Sequence, residues 1–148
     1  YLSRQLEDYA SGARKNAVME PIAKALSGQE RDNVSAYYAS LKMQKWKPAK
    51  KPAASILKRG ELLAKTGDQK IMVQACNNCH GPGGIGMGPA IPYIAGQFGS
   101  YIQAQLNLWK SGQRANSPGQ MLEIARRLSD KDIAALAAYF EQVQTSTP

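Results

Sequence analysis

Cys76-Asn77-Asn78-Cys79-His80 is the stretch on which the reading of this 148-residue chain turns. Two thiols three residues apart on the first turn of a helix can reach the two vinyl groups of one porphyrin and form thioethers. The next residue then presents its imidazole to the iron. A Cys-x-x-Cys redox pair and part of a zinc site are the alternatives, with His80 incidental. A thioredoxin-like pair wants a strand before it and a βαβ context, whereas Gly60 to Ala75 reads as helical and so does most of the rest. A zinc knuckle needs four soft ligands, and this cluster holds three. One c-type attachment motif therefore predicts one covalently bound haem c, on Cys76 and Cys79, with His80 as an axial iron ligand.

Working outward, Gly81 to Gly99 is too rich in Gly and Pro to be regular structure, and a loop that long in a compact domain usually wraps something. Helical patterns flank it. Ile133, Leu136, Ala137, Phe140 and Val143 share one face, with Ser129 and Asp132 as N-cap and first-turn acid. Ile56, Leu57, Gly60, Leu63 and Ala64 repeat the spacing before a turn at Gly67-Asp68, and Tyr101 to Lys110 is a helix closed by Gly112. Gly60 is expected to let the first of these cross closely over Tyr139. The fold class is all-α, with three to five helices around the haem.

The second axial position has fewer candidates than usual, because His80 is the only histidine. Met, Lys or an open site remain. Met72 lies on the proximal side, Met43 adjoins a linker, and Met87 is too near His80 in sequence to reach the opposite face. Met121 is the preferred iron ligand. A buried Met is more often core filler, but Met121 recurs in an internal repeat. Tyr1-Leu2, Gln5-Leu6, Gly12, Arg14 and Asn16 recur 100 positions later. After a two-residue insertion, Met19, Ile22-Ala23, Leu26-Ser27, Ala36-Tyr37 and Tyr38 recur at an offset of 102.

The repeat sets the domain expectation. Residues 54–148 are expected to be a complete domain, residues 1–43 the C-terminal half of a first such domain lacking its haem motif, and residues 44–53 a Lys/Pro linker. Met19 is then the would-be ligand of an absent first haem. The chain opens without Met and without a signal peptide, which reads as a processed or truncated product. No apolar run approaches the roughly 20 residues of a membrane span.

Composition closes off other classes. With 43% hydrophobic and 20% charged residues the chain is not disordered, and two Cys do not make a disulfide scaffold. A Ser-His-Asp hydrolase would have to use His80, already flanked by both thiols. The net charge of +8 would suit an acidic protein, an anionic membrane surface or nucleic acid. Five of those charges are Lys42, Lys45, Lys47, Lys50 and Lys51, leaving +3 for the remainder. Nucleic acid is therefore not expected as a partner, while peripheral membrane association stays open.

In combination these motifs resemble the class I cytochromes c of the dihaem cytochrome c4 and c-553 type. The matching residues are Cys76 to Gly81, Gly88-Pro89 through Pro92-Tyr93-Ile94-Ala95-Gly96-Gln97, Tyr101-Ile102, Gln105-Leu106, Gly112 to Asn116, Met121, and Leu128-Ser129-Asp130 to Tyr139-Phe140. The resemblance implies a periplasmic carrier of single electrons, not an enzyme, with redox proteins as donor and acceptor. It implies Cys76 and Cys79 as thioethers, His80 and Met121 as iron ligands, and one haem c here against two in an intact dihaem relative. It also implies a Pro carbonyl that accepts the His80 ring N–H, with Pro89 the better match and Pro92 the second choice. Tyr101, Trp109 and Arg114 are candidates for the haem surroundings. The rival readings are a cytochrome subunit of a dehydrogenase or terminal oxidase, and a haem enzyme or gas sensor if the distal site is open.

Overall fold

The computed structural model of the protein describes residues 1–41 and 52–144. The expected linker, 44–53, lies outside the described residues except for Pro52 and Ala53. Three helices come first, α1 (Leu2–Ser11), α2 (Met19–Ala25) and α3 (Gly28–Ser40). Five follow: α4 (Ala54–Lys65), α5 (Asn77–His80), α6 (Gly99–Lys110), α7 (Gln120–Arg127) and α8 (Asp130–Gln142). The all-α expectation holds, with one local correction. Gly60 to Ala75 is not one helix, because α4 stops at Lys65 and a small antiparallel pair follows, β1 (Gly67–Asp68) with β2 (Val73–Gln74). Gly67 takes φ 78, which a residue with a side chain rarely adopts, and a Cβ there would lie 2.4 Å from the Val73 carbonyl oxygen. Asp68 then accepts from the Lys70 N–H at 3.0 Å, a local bond that competes with helix continuation.

The core forms where α4, α6 and α8 meet. Leu63, Ala64, Ile102, Leu106, Leu128, Ile133, Leu136, Ala137 and Phe140 pack there with Val73, each large side chain contributing about 1.5–3 kcal/mol by leaving water. α8 is set by the 3.6-residue spacing of its apolar residues and by a capping box. The Ser129 hydroxyl accepts from the Asp132 N–H, and the Asp132 carboxylate accepts from the Ser129 N–H. α4 crosses α8 at Gly60, whose place would put a Cβ 2.2 Å from the Ala135 carbonyl oxygen and 2.6 Å from the Tyr139 Cβ. The expected close crossing over Tyr139 is therefore present.

Arg59, one residue before that crossing, ties three elements together. Its Nε donates to Asp132 Oδ1 on α8 and its Nη1 to Asp68 Oδ2 on β1, both at 2.7 Å. The Arg59 bond holds the Asp68 carboxyl below its ordinary range. Burial alone would push Asp132 up, but bonds from Arg59 and Ser129 outweigh it and leave that carboxyl lowered as well. Carboxyls lowered by folding stabilise the fold above their unfolded pKa of about 4, and that contribution is lost as pH falls through their folded values. Melting temperature should therefore drop as the solution is acidified below about pH 4. In Arg59→Met the drop should be shallower when thermal melts are followed by circular dichroism across that range, and an identical acid slope would refute the assignment.

The sequence repeat is also a structural one. α1, α2 and α3 retrace α6, α7 and α8; Gly12 and Gly112 both take positive φ after their helices, and Ser27 with Glu30 forms a capping box as Ser129 with Asp132 does. α1 and α6 meet through a polar contact with near two-fold symmetry, centred on an antiparallel bridge between Arg14 and Arg114. Arg14 donates to Gln5 Oε1 at 2.8 Å, to Gln105 Oε1 at 2.8 Å and to the Tyr101 hydroxyl at 3.2 Å. Arg114 mirrors it, donating to Gln105 at 2.7 Å, Gln5 at 3.1 Å and the Tyr1 hydroxyl at 3.2 Å. Each guanidinium also lies over a ring, Tyr9 at 4.7 Å and Trp109 at 4.6 Å. Gln5, Arg14 and Arg114 are buried, so these bonds answer a desolvation cost that would otherwise fall on both units. The hydrogen-bonding symmetry fails at the repeated asparagines. Asn116 reaches across to Gln5 and Asp8, at 2.9 and 2.6 Å, whereas Asn16 stays with its own unit and accepts from the Val18 and Met19 N–H groups at the start of α2.

Candidate metal centre

Cys76 sits at the N-terminal end of α5, anchored to α4 by its N–H donating to the Leu63 carbonyl at 3.4 Å. The His80 N–H closes the turn on the Cys76 carbonyl at 2.9 Å, which brings both thiols and the imidazole onto one short helical segment. Cys76 and Cys79 are free thiols, each half-buried. Burial pushes the Cys76 thiol up to about 11, so it is protonated at neutral pH. That is the reverse of the lowered pKa that a thioredoxin-like nucleophile requires.

The loop after His80 folds back on it. The Gly86 N–H donates to the His80 carbonyl at 2.6 Å, and Ile94 and Ala95 donate to the Gly84 carbonyl at 2.8 and 3.1 Å. Met87 and Ile91 exchange backbone bonds at 3.0 and 2.9 Å, so Gly88-Pro89-Ala90 becomes the exposed tip of a narrow turn. This overturns the choice of Pro89 as the partner of the His80 ring. The tip carries Pro89 away, and the returning limb delivers Pro92, whose carbonyl oxygen lies 3.0 Å from His80 Nδ1. A proton held on Nδ1 by that carbonyl leaves the lone pair on Nε2, the tautomer that ligates a metal through Nε2. Burial lowers the His80 pKa against the opposing pull of Pro92, which keeps the ring neutral and ready to ligate at pH 7.

The remaining sequence candidates fall in two places. Met121 is in the first turn of α7, half-buried against the core, just after Gly119 takes the left-handed conformation. Met19 holds the corresponding place at the start of α2, also half-buried. Tyr101 and Arg114 spend their hydrogen bonds in the α1–α6 contact, and Trp109 is buried beneath the Arg114 guanidinium. Gln5, Gln105, Asn116 and Asp8 complete that contact and went unremarked as site residues. The signal was available, since Gln5 and Gln105 recur at the same offset of 100 as Arg14 and Arg114.

Two free thiols and a neutral, oriented imidazole on one turn make a donor set that fits haem c, and this set within a helical frame defines a class I c-type cytochrome domain. Residues 64–140 match the family profile described as cytochrome C oxidase, cbb3-type, subunit III. The thiosulfate dehydrogenase electron acceptor of Thiomonas intermedia is 41% identical, the match covering 94% of this chain and 64% of that protein. Cytochrome c4 of Pseudomonas aeruginosa is 33% identical over 95% of this chain and 70% of its own length. Among solved structures, reduced recombinant cytochrome c4 from Pseudomonas stutzeri superposes with TM-score 0.84 at 31% identity, covering 97% of this chain and 80% of that one. Thiosulfate dehydrogenase (TsdBA) from Marichromatium purpuratum gives 0.86 at 40% identity, covering 97% of this chain and 31% of that one. The chain belongs to the cytochrome c4 family of dihaem c-type cytochromes, whose members bind haem c covalently. It spans about two thirds of the length of the thiosulfate dehydrogenase electron acceptors that it resembles.

Proposed function

We propose that this protein is an electron carrier, not an enzyme, using one haem c bound to Cys76 and Cys79 with His80 and Met121 as axial ligands. The observation that carries the reading is the His80 Nδ1 to Pro92 carbonyl bond at 3.0 Å, beside two free thiols on the same turn. Bound haem iron supplies reversible one-electron chemistry. The chain's residues do the rest. Pro92 fixes the ring tautomer and raises the basicity of Nε2. Cys76 and Cys79 prevent dissociation, and the apolar core against which Met121 packs favours the less charged, reduced state. The Met121 thioether, serving with His80 as iron ligand, would favour that state too and would occupy the position a substrate needs.

Residues 1–43 are proposed to be the C-terminal half of a cytochrome c-like domain, with 54–148 a complete one and 44–53 the linker between them. Ile22, Tyr37, Tyr38 and Leu41 are exposed, while their repeat counterparts Ile124, Tyr139, Phe140 and Val143 pack on the core beneath residues 54–98. Exposed apolar side chains at these positions suit a surface made to be covered. Met19 belongs to that surface.

A periplasmic setting and a dehydrogenase as donor fit the similarity to proteins named thiosulfate dehydrogenase electron acceptor and cytochrome c4. No helix among the described residues is long and apolar enough to cross a membrane. The test is intact mass and haem content of protein matured in a host that attaches haem c. One haem per chain, a low-spin ferric spectrum with the weak far-red Met-to-iron band, and no rapid carbon monoxide binding by the ferrous form are expected. Two haems, or rapid carbon monoxide binding, would overturn the assignment.

A further inference from the structure

We propose that the tip of the β1–β2 hairpin, Lys70 and Met72 with Arg126 and Arg127 of α7, is the surface on which an acidic redox-partner protein docks. This rests on the electron-carrier reading above. Met72 is 69% exposed, the most exposed of the large apolar side chains among the described residues. It is also the one non-glycine there with positive φ, at 52°. An L-residue in the left-handed region carries a conformational cost that Gly or Asn would relieve. The fold thus holds a flexible thioether in water at a position where a smaller residue would be more stable.

The tip is held rigidly rather than left to move. The Met72 N–H donates to the Gln69 carbonyl at 3.1 Å, and Arg127 Nη1 donates to the Met72 carbonyl at 2.6 Å. Asp68 fixes the start of the turn through the Lys70 N–H and is itself fixed by Arg59. A preorganised apolar knob loses little entropy when it enters a socket, and Met adapts its shape to the socket it meets.

Charge selects the occupant. Lys70 on the tip and Arg127 beside it are exposed, Arg126 is exposed on the same helix as Arg127, and Arg127 has Glu123 as its ionic partner at 3.9 Å. A cationic rim around a thioether complements an apolar depression with an acidic rim, steering encounter by charge and holding the complex by burial. The location suits the proposed function. β2 runs directly into Ala75 and Cys76, and Gln74 Nε2 lies 3.9 Å from Cys79 Sγ, so a protein seated on Met72 lies against the cysteine-bearing edge of the metal centre.

The test uses haem-loaded protein and gold electrodes coated with mixed carboxylate- and methyl-terminated alkanethiols, a surface of the stated chemistry. Interfacial electron-transfer rate and adsorption are read by voltammetry as salt is varied. Met72→Gly and the Lys70→Glu/Arg126→Glu pair should each cut adsorption about tenfold, and the charge pair should also flatten the salt dependence. Melting temperature, spectrum and solution midpoint potential should be unchanged, or melting raised in Met72→Gly. Adsorption equal to the parent protein in either variant would overturn the docking surface, as would Met72-dependent co-sedimentation with phosphatidylglycerol vesicles, which would make the patch a membrane contact. Failure of the carrier reading looks different: no reversible one-electron couple with small mediators in any variant.

Discussion

Gly60→Ala is expected to melt roughly 10 °C or more below the parent protein, equivalent to a loss of about 3 kcal/mol or more. Alanine in a helix interior should by intrinsic propensity be about 1 kcal/mol better than glycine, so the predicted sign is opposite to the local preference. Tertiary geometry reverses it. The added methyl would stand 2.2 Å from the Ala135 carbonyl oxygen and 2.8 Å from its carbon. Both are backbone atoms of α8, which cannot swing aside as a side-chain tip can. Relief requires α4 and α8 to separate, and their separation opens the packing of Leu63, Leu136 and Phe140 on which the core rests. Lys58→Ala, an exposed change two residues away on the same helix, should stay within about 0.5 kcal/mol of the parent. Thermal melts of the haem-loaded proteins decide it, and a Gly60→Ala protein as stable as the parent would refute the crossing.

Met121→Ala should produce the largest change in the metal centre. If Met121 is the second iron ligand as proposed, its loss is expected to abolish the far-red band, convert the ferric spectrum toward high spin and admit carbon monoxide to the ferrous form. The midpoint potential should fall by on the order of a tenth to a few tenths of a volt, within the roughly 0.8 V that axial ligands command. A fold cost of about 2–3 kcal/mol accompanies it, because Met121 is packed against the core. Met19→Ala is the matched control, having the same place in the repeat without a neighbouring haem motif, and its spectrum should equal the parent's. Retention of the far-red band in Met121→Ala would assign the thioether to another residue, with Met87→Ala and Met72→Ala separating the candidates.

The sequence was most legible where chemistry or periodicity is local. Cys76, Cys79 and His80 sit within five residues, and the apolar spacing of α8 with its Ser129–Asp132 cap is set by immediate neighbours. The turn at Gly67-Asp68 is legible in the sequence, but the β1–β2 pairing that follows it is not, because the two strands are only two residues each and leave no alternation to detect. The proline partner of His80 was misplaced for a different reason. Pro89 and Pro92 differ by three residues, and the choice depends on the Met87–Ile91 bridge, a backbone pairing that no side-chain pattern announces. The repeat was visible as text, yet the fact that its two copies face each other through Arg14 and Arg114 is a matter of docking, which spacing alone does not encode.

That facing contact makes the chain, in effect, an isologous dimer written into one polypeptide. In a true homodimer any substitution acts on both sides of the axis at once, so each partner must remain compatible with its own copy. Here the two sides can diverge, and they have. Tyr9 answers Trp109 beneath paired guanidiniums, and Asn116 crosses the axis to Asp8 while Asn16 stays at home to cap α2. The asymmetry lies within the α1–α6 contact itself, so the two sides of one repeated surface can be tuned separately without giving up the axis that joins them.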